Sequence, residues 1–123
     1  MSQIWFRLLI LSAAMTAPGI SAQAADRPVD FTRDIRPILS NNCFYCHGPD
    51  EKERKGGDKG LRFDTADGIA ADLGDGKKVV VPGQPDKSVL MHRVLATNHD
   101  ELMPPPSSGK KLTPHELELL STW

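Results

Sequence analysis

Cys43 and Cys46 stand three positions apart with His47 directly after the second, and no other cysteine occurs in the 123-residue chain. Two thiols this close in sequence cannot staple distant parts of a fold together. A disulfide between them would close a loop too short to restrict the unfolded chain much. A zinc site would need a second pair of ligands at close spacing, and His92, His99 and His115 do not supply one. A redox dithiol belongs on the strand-to-helix turn of a thioredoxin-like pattern, which does not surround this motif. The spacing does suit attachment to a haem. Two thiols separated by two residues reach the vinyl groups along one edge of the ring as thioethers, and the next residue offers its imidazole to the iron. Cys43 and Cys46 are therefore expected as covalent attachment points, and His47 as the proximal iron ligand.

The rest of the chain is in need of such a group. Fifteen apolar residues lie in the first 24 positions, leaving 33 in the following 99, of which five are aromatic. A domain of that size buries a modest share of its surface and needs a staple, a metal or a prosthetic group. The first 24 residues read as a secretory signal: Arg7 precedes the apolar run Leu8-Leu9-Ile10-Leu11, and Ala22-Gln23-Ala24 is the small-x-small pattern of a cleavage site. Cleavage before Ala25 leaves residues 25–123 as one domain, exported to the periplasm or cell envelope. There, haem attachment would also keep both thiols out of disulfide chemistry.

Several classes are disfavoured. No apolar run reaches the roughly 18 residues of a spanning helix, so the mature chain is expected to have no membrane passage. The net charge is −1 with both signs interspersed, unlike the clustered basic face of a nucleic-acid binder. Lys77–Lys78 and Lys110–Lys111 read as solvated loop charge. Neither a phosphate-binding Gly-rich loop nor a Gly-x-Ser-x-Gly nucleophile turn is present.

Three main helices are expected, separated by long loops. Asp34 is placed as the cap of the first, which runs to about Asn42 with Ile35, Ile38 and Leu39 on one face and Pro37 in the first turn. Gly48 to Gly60 reads as a charged loop, Leu61 to Asp64 as briefly extended, Thr65 to Leu73 as a weak helical turn, and Val79 to Val81 as a short extended piece. A second helix opens at Asp86 or Ser88 and runs to about Thr97. Met103 and the prolines 104–106 should be extended. Thr113-Pro114-His115-Glu116 is a capping box with proline at the first helical position. The third helix that follows, with Leu117, Leu120 and Trp123 on one face, is expected to be cut short at the end of the chain.

Met91, Met103, His92, His99 and His115 are the candidates for the second axial position. Met91 and His92 fall on the second helix, where methionine is usually core and histidine usually exposed. Met103 precedes three prolines on a stiff segment, 56 residues beyond His47, with enough chain to reach the far side of a haem. Met103 is the leading choice. A His/Met pair raises the potential and leaves no coordination position open to substrate, which points to an electron carrier or relay and not to an enzyme. A peroxidase-like haem enzyme with an open iron is the rival from the catalytic class, with only His92 and His99 to offer acid–base help. A haem module serving a larger chain is a third reading.

The stretch from Phe31 to Leu39, the run Cys43-Phe44-Tyr45-Cys46-His47-Gly48-Pro49-Asp50, Leu61-Arg62-Phe63-Asp64, Val81-Pro82-Gly83, Ser88-Val89-Leu90, Met103-Pro104-Pro105 and Leu112 to Leu117 resemble the planctomycete-type cytochrome c domain, in that family's order and over about Val29 to Trp123. The resemblance implies an all-α, small class I cytochrome c-like fold wrapped around one covalent haem c. It implies Cys43 and Cys46 as attachment points, His47 as proximal ligand and Met103 as distal ligand. It further implies an N-terminal position in a longer exported protein with downstream domains. The redox partner is not named by any residue.

Overall fold

The computed structural model describes residues 27–123. The expected signal segment, residues 1–24, and its cleavage site lie outside the described residues.

The first helical segment starts earlier than the sequence suggests. Asp30, not Asp34, is the cap: its side chain accepts the Arg33 N–H at 2.8 Å. Asp34 reaches back to accept the Asp30 N–H at 2.9 Å. Residues Phe31–Ile35 form one wide turn, in which the Arg36 N–H reaches the Phe31 carbonyl five residues back. Helix α1, Arg36–Asn42, continues from it with Pro37 in its own first turn. A proline that deep in a regular helix would lack a backbone donor and press its ring on the carbonyl four residues earlier. The wide turn absorbs that conflict, as such bulges do within helices.

Helix α2, Phe44–His47, follows directly, and α3 is the short turn Ala66–Ile69, capped by the Thr65 hydroxyl on the Gly68 N–H. Strands β1, Asp72–Gly74, and β2, Lys77–Lys78, pair antiparallel. Helix α4, Val89–Val94, is shorter than expected and ends before Thr97. Helix α5, Pro114–Thr122, has the anticipated capping box, with the Glu116 N–H on Thr113 Oγ1 at 3.2 Å and the Thr113 N–H on Glu116 Oε2 at 2.7 Å. No helix among the described residues is long and apolar enough to cross a membrane.

The all-α, class I cytochrome c-like architecture of about three main helices is therefore corrected. The described residues carry five short α-helices and a two-stranded antiparallel hairpin. The helical turn expected over Thr65 to Leu73 is present only as α3, and the first strand of the hairpin takes its last residues. The cause of the hairpin is Asp75-Gly76, both at positive φ (52° and 73°), the backbone of a tight hairpin turn. That dipeptide is legible in the sequence as a hairpin signal, but without long alternating flanks it is easily passed over.

A single apolar cluster joins the elements: Ile35, Ile38 and Leu39 from the first segment, Phe63, Val79, then Leu90, Met91 and Val94 from α4, with Leu112 and Leu120. Ser88, 3% exposed, fastens the turn before α4. Its hydroxyl donates to the Gln84 carbonyl at 3.0 Å and accepts the Val81 N–H at 2.9 Å. Phe31 and Trp123 bring the two ends of the described chain together, with ring centroids 5.6 Å apart.

Candidate haem-binding site

Helix α1 delivers the motif. The Cys43 N–H bonds the Leu39 carbonyl at 2.7 Å, and the Cys43 carbonyl in turn accepts the His47 N–H at 2.8 Å and the Cys46 N–H at 3.1 Å. Residues three apart on a helical turn share a face, so Cys43 and Cys46 lie one above the other. Both are free thiols. Phe44 turns towards the core and Tyr45 is 73% exposed, so the two intervening residues anchor and solvate the turn respectively.

Burial, reinforced by the neighbouring Cys46, pushes the Cys43 thiol up to about 12. With no group attached, Cys43 is therefore a thiol and not a thiolate near neutral pH. Among the described residues no three His, Cys, Asp or Glu side chains converge as a metal site would require.

His47 is half-buried. Desolvation lowers its pKa, partly offset by the backbone of Lys55 and Leu61. The ring is thereby biased towards the neutral imidazole, the form that binds metal. Its Nδ1 is buried without a hydrogen-bond partner. The Phe63 ring lies against it, with centroids 4.8 Å apart and planes 29° from parallel.

The segment after the motif is a fastened loop, not a loose one. The two carbonyls at the end of α2, which a helix terminus leaves without internal partners, are taken by downstream amides: Cys46 by Lys55 at 2.8 Å and His47 by Phe63 at 2.7 Å. The Leu61 N–H closes the loop on the Lys55 carbonyl at 2.9 Å. Arg54 folds back, donating to the carbonyls of Gly48 and Pro49 at 3.0 and 2.9 Å. Gly48 has to be glycine, because a Cβ there would meet the Phe44 carbonyl oxygen at 2.2 Å. A Cβ on Gly56 would stand 3.1 Å from Leu61 Cγ and 3.6 Å from His47 Cε1.

The donor set fits a covalent haem: two free thiols on one face of a turn and, directly after them, an imidazole biased to its neutral form and packed against Phe63. The other sequence candidates divide. Met91 is a core side chain, 4% exposed. His92 Nε2 is engaged at 2.7 Å by the Asp86 carbonyl on the surface. His99 is exposed, and His115, also exposed, lies 3.9 Å from Glu118. Met103 is half-buried on a separate segment, where its N–H bonds the Arg93 carbonyl at 3.0 Å. The structure thus brings together Cys43, Cys46 and His47, and holds Met103 to the end of α4. Sequence reasoning missed Gly48, Arg54, Gly56 and Phe63 as supports of the motif. The only signals available were the glycine directly after His47 and the apolar Phe63 between two charged residues.

The comparisons agree with the chemistry. Hydrazine synthase subunit alpha of Kuenenia stuttgartiensis is 49% identical over 45 residues, covering 37% of this chain and 5% of that protein. The chain thus spans about a twentieth of the length of that curated relative. The relative carries an enzyme's name, so it lends no support to the expectation of a purely non-enzymatic carrier. No solved structure matches the chain. The Planctomycete cytochrome C family matches residues 43–107, more than half the chain, a span that begins at the first motif cysteine and includes Met103. The chain belongs to the planctomycete cytochrome c family, a family of haem-binding domains.

Proposed function

We propose that this chain is an exported domain that carries one covalent haem c and passes single electrons. The observation that carries the reading is the Cys43–Cys46–His47 turn, with two free thiols on one face and a desolvated imidazole beside them. When bound, the haem supplies a one-electron change at its iron. The protein supplies the rest. Cys43 and Cys46 would hold the ring by thioethers, and His47 would ligate its iron. Met103 is the proposed second iron ligand, on a segment fixed by its backbone bond to Arg93. The loop from Gly48 to Phe63 keeps the imidazole in place and water away from it.

A second reading is favoured by the enzyme relative, of which this chain matches a small part: the same haem domain serves as a module of a larger catalytic protein. Electron exchange between the isolated domain and a small soluble redox protein argues for the carrier. Exchange found only in a longer chain argues for the module.

The first test is an optical spectrum of the protein exported by a host with a c-type haem maturation system, followed by denaturation and extraction of free haem. Haem that stays on the polypeptide, with the weak long-wavelength band of sulfur–iron ligation in the oxidised form, supports the His47/Met103 reading. Complete loss of haem on extraction returns Cys43 and Cys46 to dithiol or disulfide chemistry.

A further inference from the structure

We propose that Phe63 is a positioning residue for His47: its ring fixes the plane of the imidazole and closes one of its faces to solvent. The inference rests on His47 being the iron ligand, as argued above, and concerns what keeps that ligand in one orientation.

Two contacts of different kinds join the pair. The Phe63 ring lies 4.8 Å from the imidazole at 29°, close to parallel. Its own N–H bonds the His47 carbonyl at 2.7 Å. Phe63 therefore grips its partner at both backbone and ring. The segment bearing it is rigid. The Leu61 N–H is tied to the Lys55 carbonyl, and Arg62 forms a two-pronged pair with Asp64, Nε to Oδ1 at 3.0 Å. On the far side, Gly68 of α3 packs so closely that a Cβ would overlap the Arg62 carbonyl at 1.7 Å. Phe63 is itself 7% exposed and part of the core.

A rigidly mounted flat ring does something that equal apolar volume does not. A metal-bound histidine is normally oriented by a hydrogen bond from its second nitrogen. Here the backbone of Lys55 and Leu61 lies beside the imidazole, and the face of Phe63 adds an orienting contact of a second kind. Offset packing of aromatic rings has a preferred geometry, whereas a branched aliphatic chain would let the imidazole rock.

The test compares wild type, Phe63→Leu and Phe63→Tyr in haem-loaded protein, after confirming that haem survives denaturation. The readout is the set of electron paramagnetic resonance g-values of the oxidised iron, which respond to ligand-plane orientation. The expected result is a shifted or broadened set in Phe63→Leu, with wild-type values kept in Phe63→Tyr. Unchanged g-values in haem-loaded Phe63→Leu overturn the inference while leaving the haem reading intact, whereas wild type without covalent haem removes both. Should Phe63→Leu fail to load haem, the reduced wild type decides by proton NMR. A nuclear Overhauser contact between the Phe63 and His47 rings is expected, and its absence overturns the proposal.

Discussion

At the scale of single residues, the motif itself was readable and its supports were not. Cys43, Cys46 and His47 declare themselves because three chemically reactive side chains at fixed spacing have few other uses. Phe63 and Gly48 do not, because their value lies in what they touch. Gly48 shows the difference. Its φ of −123° is open to any residue, so no turn rule marks it, yet a Cβ would collide with the Phe44 carbonyl oxygen. Gly48→Ala is therefore expected to destabilise the haem-loaded protein by about 1–3 kcal/mol, the usual range for overpacking, checked by denaturant unfolding. Met103→Ala is expected to abolish the sulfur–iron band and let the reduced protein bind carbon monoxide. An unaltered spectrum would remove Met103 from the ligand set.

At the scale of elements, capping chemistry was legible where it was complete and misleading where it was shared. Thr113 and Glu116 form a reciprocal pair, and α5 begins where that pair requires. Asp34 is expected as the cap because that start keeps Pro37 in the first turn. The observed cap is Asp30, four residues earlier, and the wide turn that accommodates Pro37 has no sequence signature. Thr113→Ala should cost about 1 kcal/mol, the ordinary value of a lost cap, as a lowered thermal midpoint. The pair is also pH-sensitive. Hydrogen bonds from the Thr113 backbone N–H, and then from its hydroxyl and from Asn42, hold the Glu116 carboxyl below its ordinary 4.5. A carboxylate depressed in the folded state stabilises fully above its unfolded pKa, and that contribution fades as pH falls below it. The stability difference between wild type and Glu116→Gln should thus be largest near neutrality and shrink on acidification below about pH 4.5, as followed by thermal unfolding at several pH values. Asp34, held down to about 2 by Arg33 and the Asp30 amide, should behave alike at lower pH.

At the scale of the whole molecule, the sparse apolar content correctly announced a small core. Among the described residues ten apolar side chains are buried, and of these Ile35 and Leu39 are the most fully enclosed. The helical fold class was a poorer inference, because an Asp-Gly turn of two residues was enough to insert a hairpin that helical periodicity could not reveal. With so little buried, the chain lacking its prosthetic group is expected to be barely stable. The Cys43→Ser/Cys46→Ser double variant, purified without haem, should show no cooperative transition in calorimetry. A sharp transition would mean that the protein core suffices alone.

The amides of Lys55, Leu61 and Phe63 all close onto carbonyls between Cys46 and Lys55. These links span from 6 residues (Lys55 to Leu61) to 16 (His47 to Phe63), all within one stretch of chain, so the segment around the motif has a low contact order. Short closures lose little chain entropy, and such regions form early. The piece from Leu39 to Phe63 is therefore expected to be among the first parts of the fold to form. In hydrogen exchange its three amides should open together as one unit, on a schedule of their own and apart from α5, so that the attachment turn is shaped before the domain around it closes.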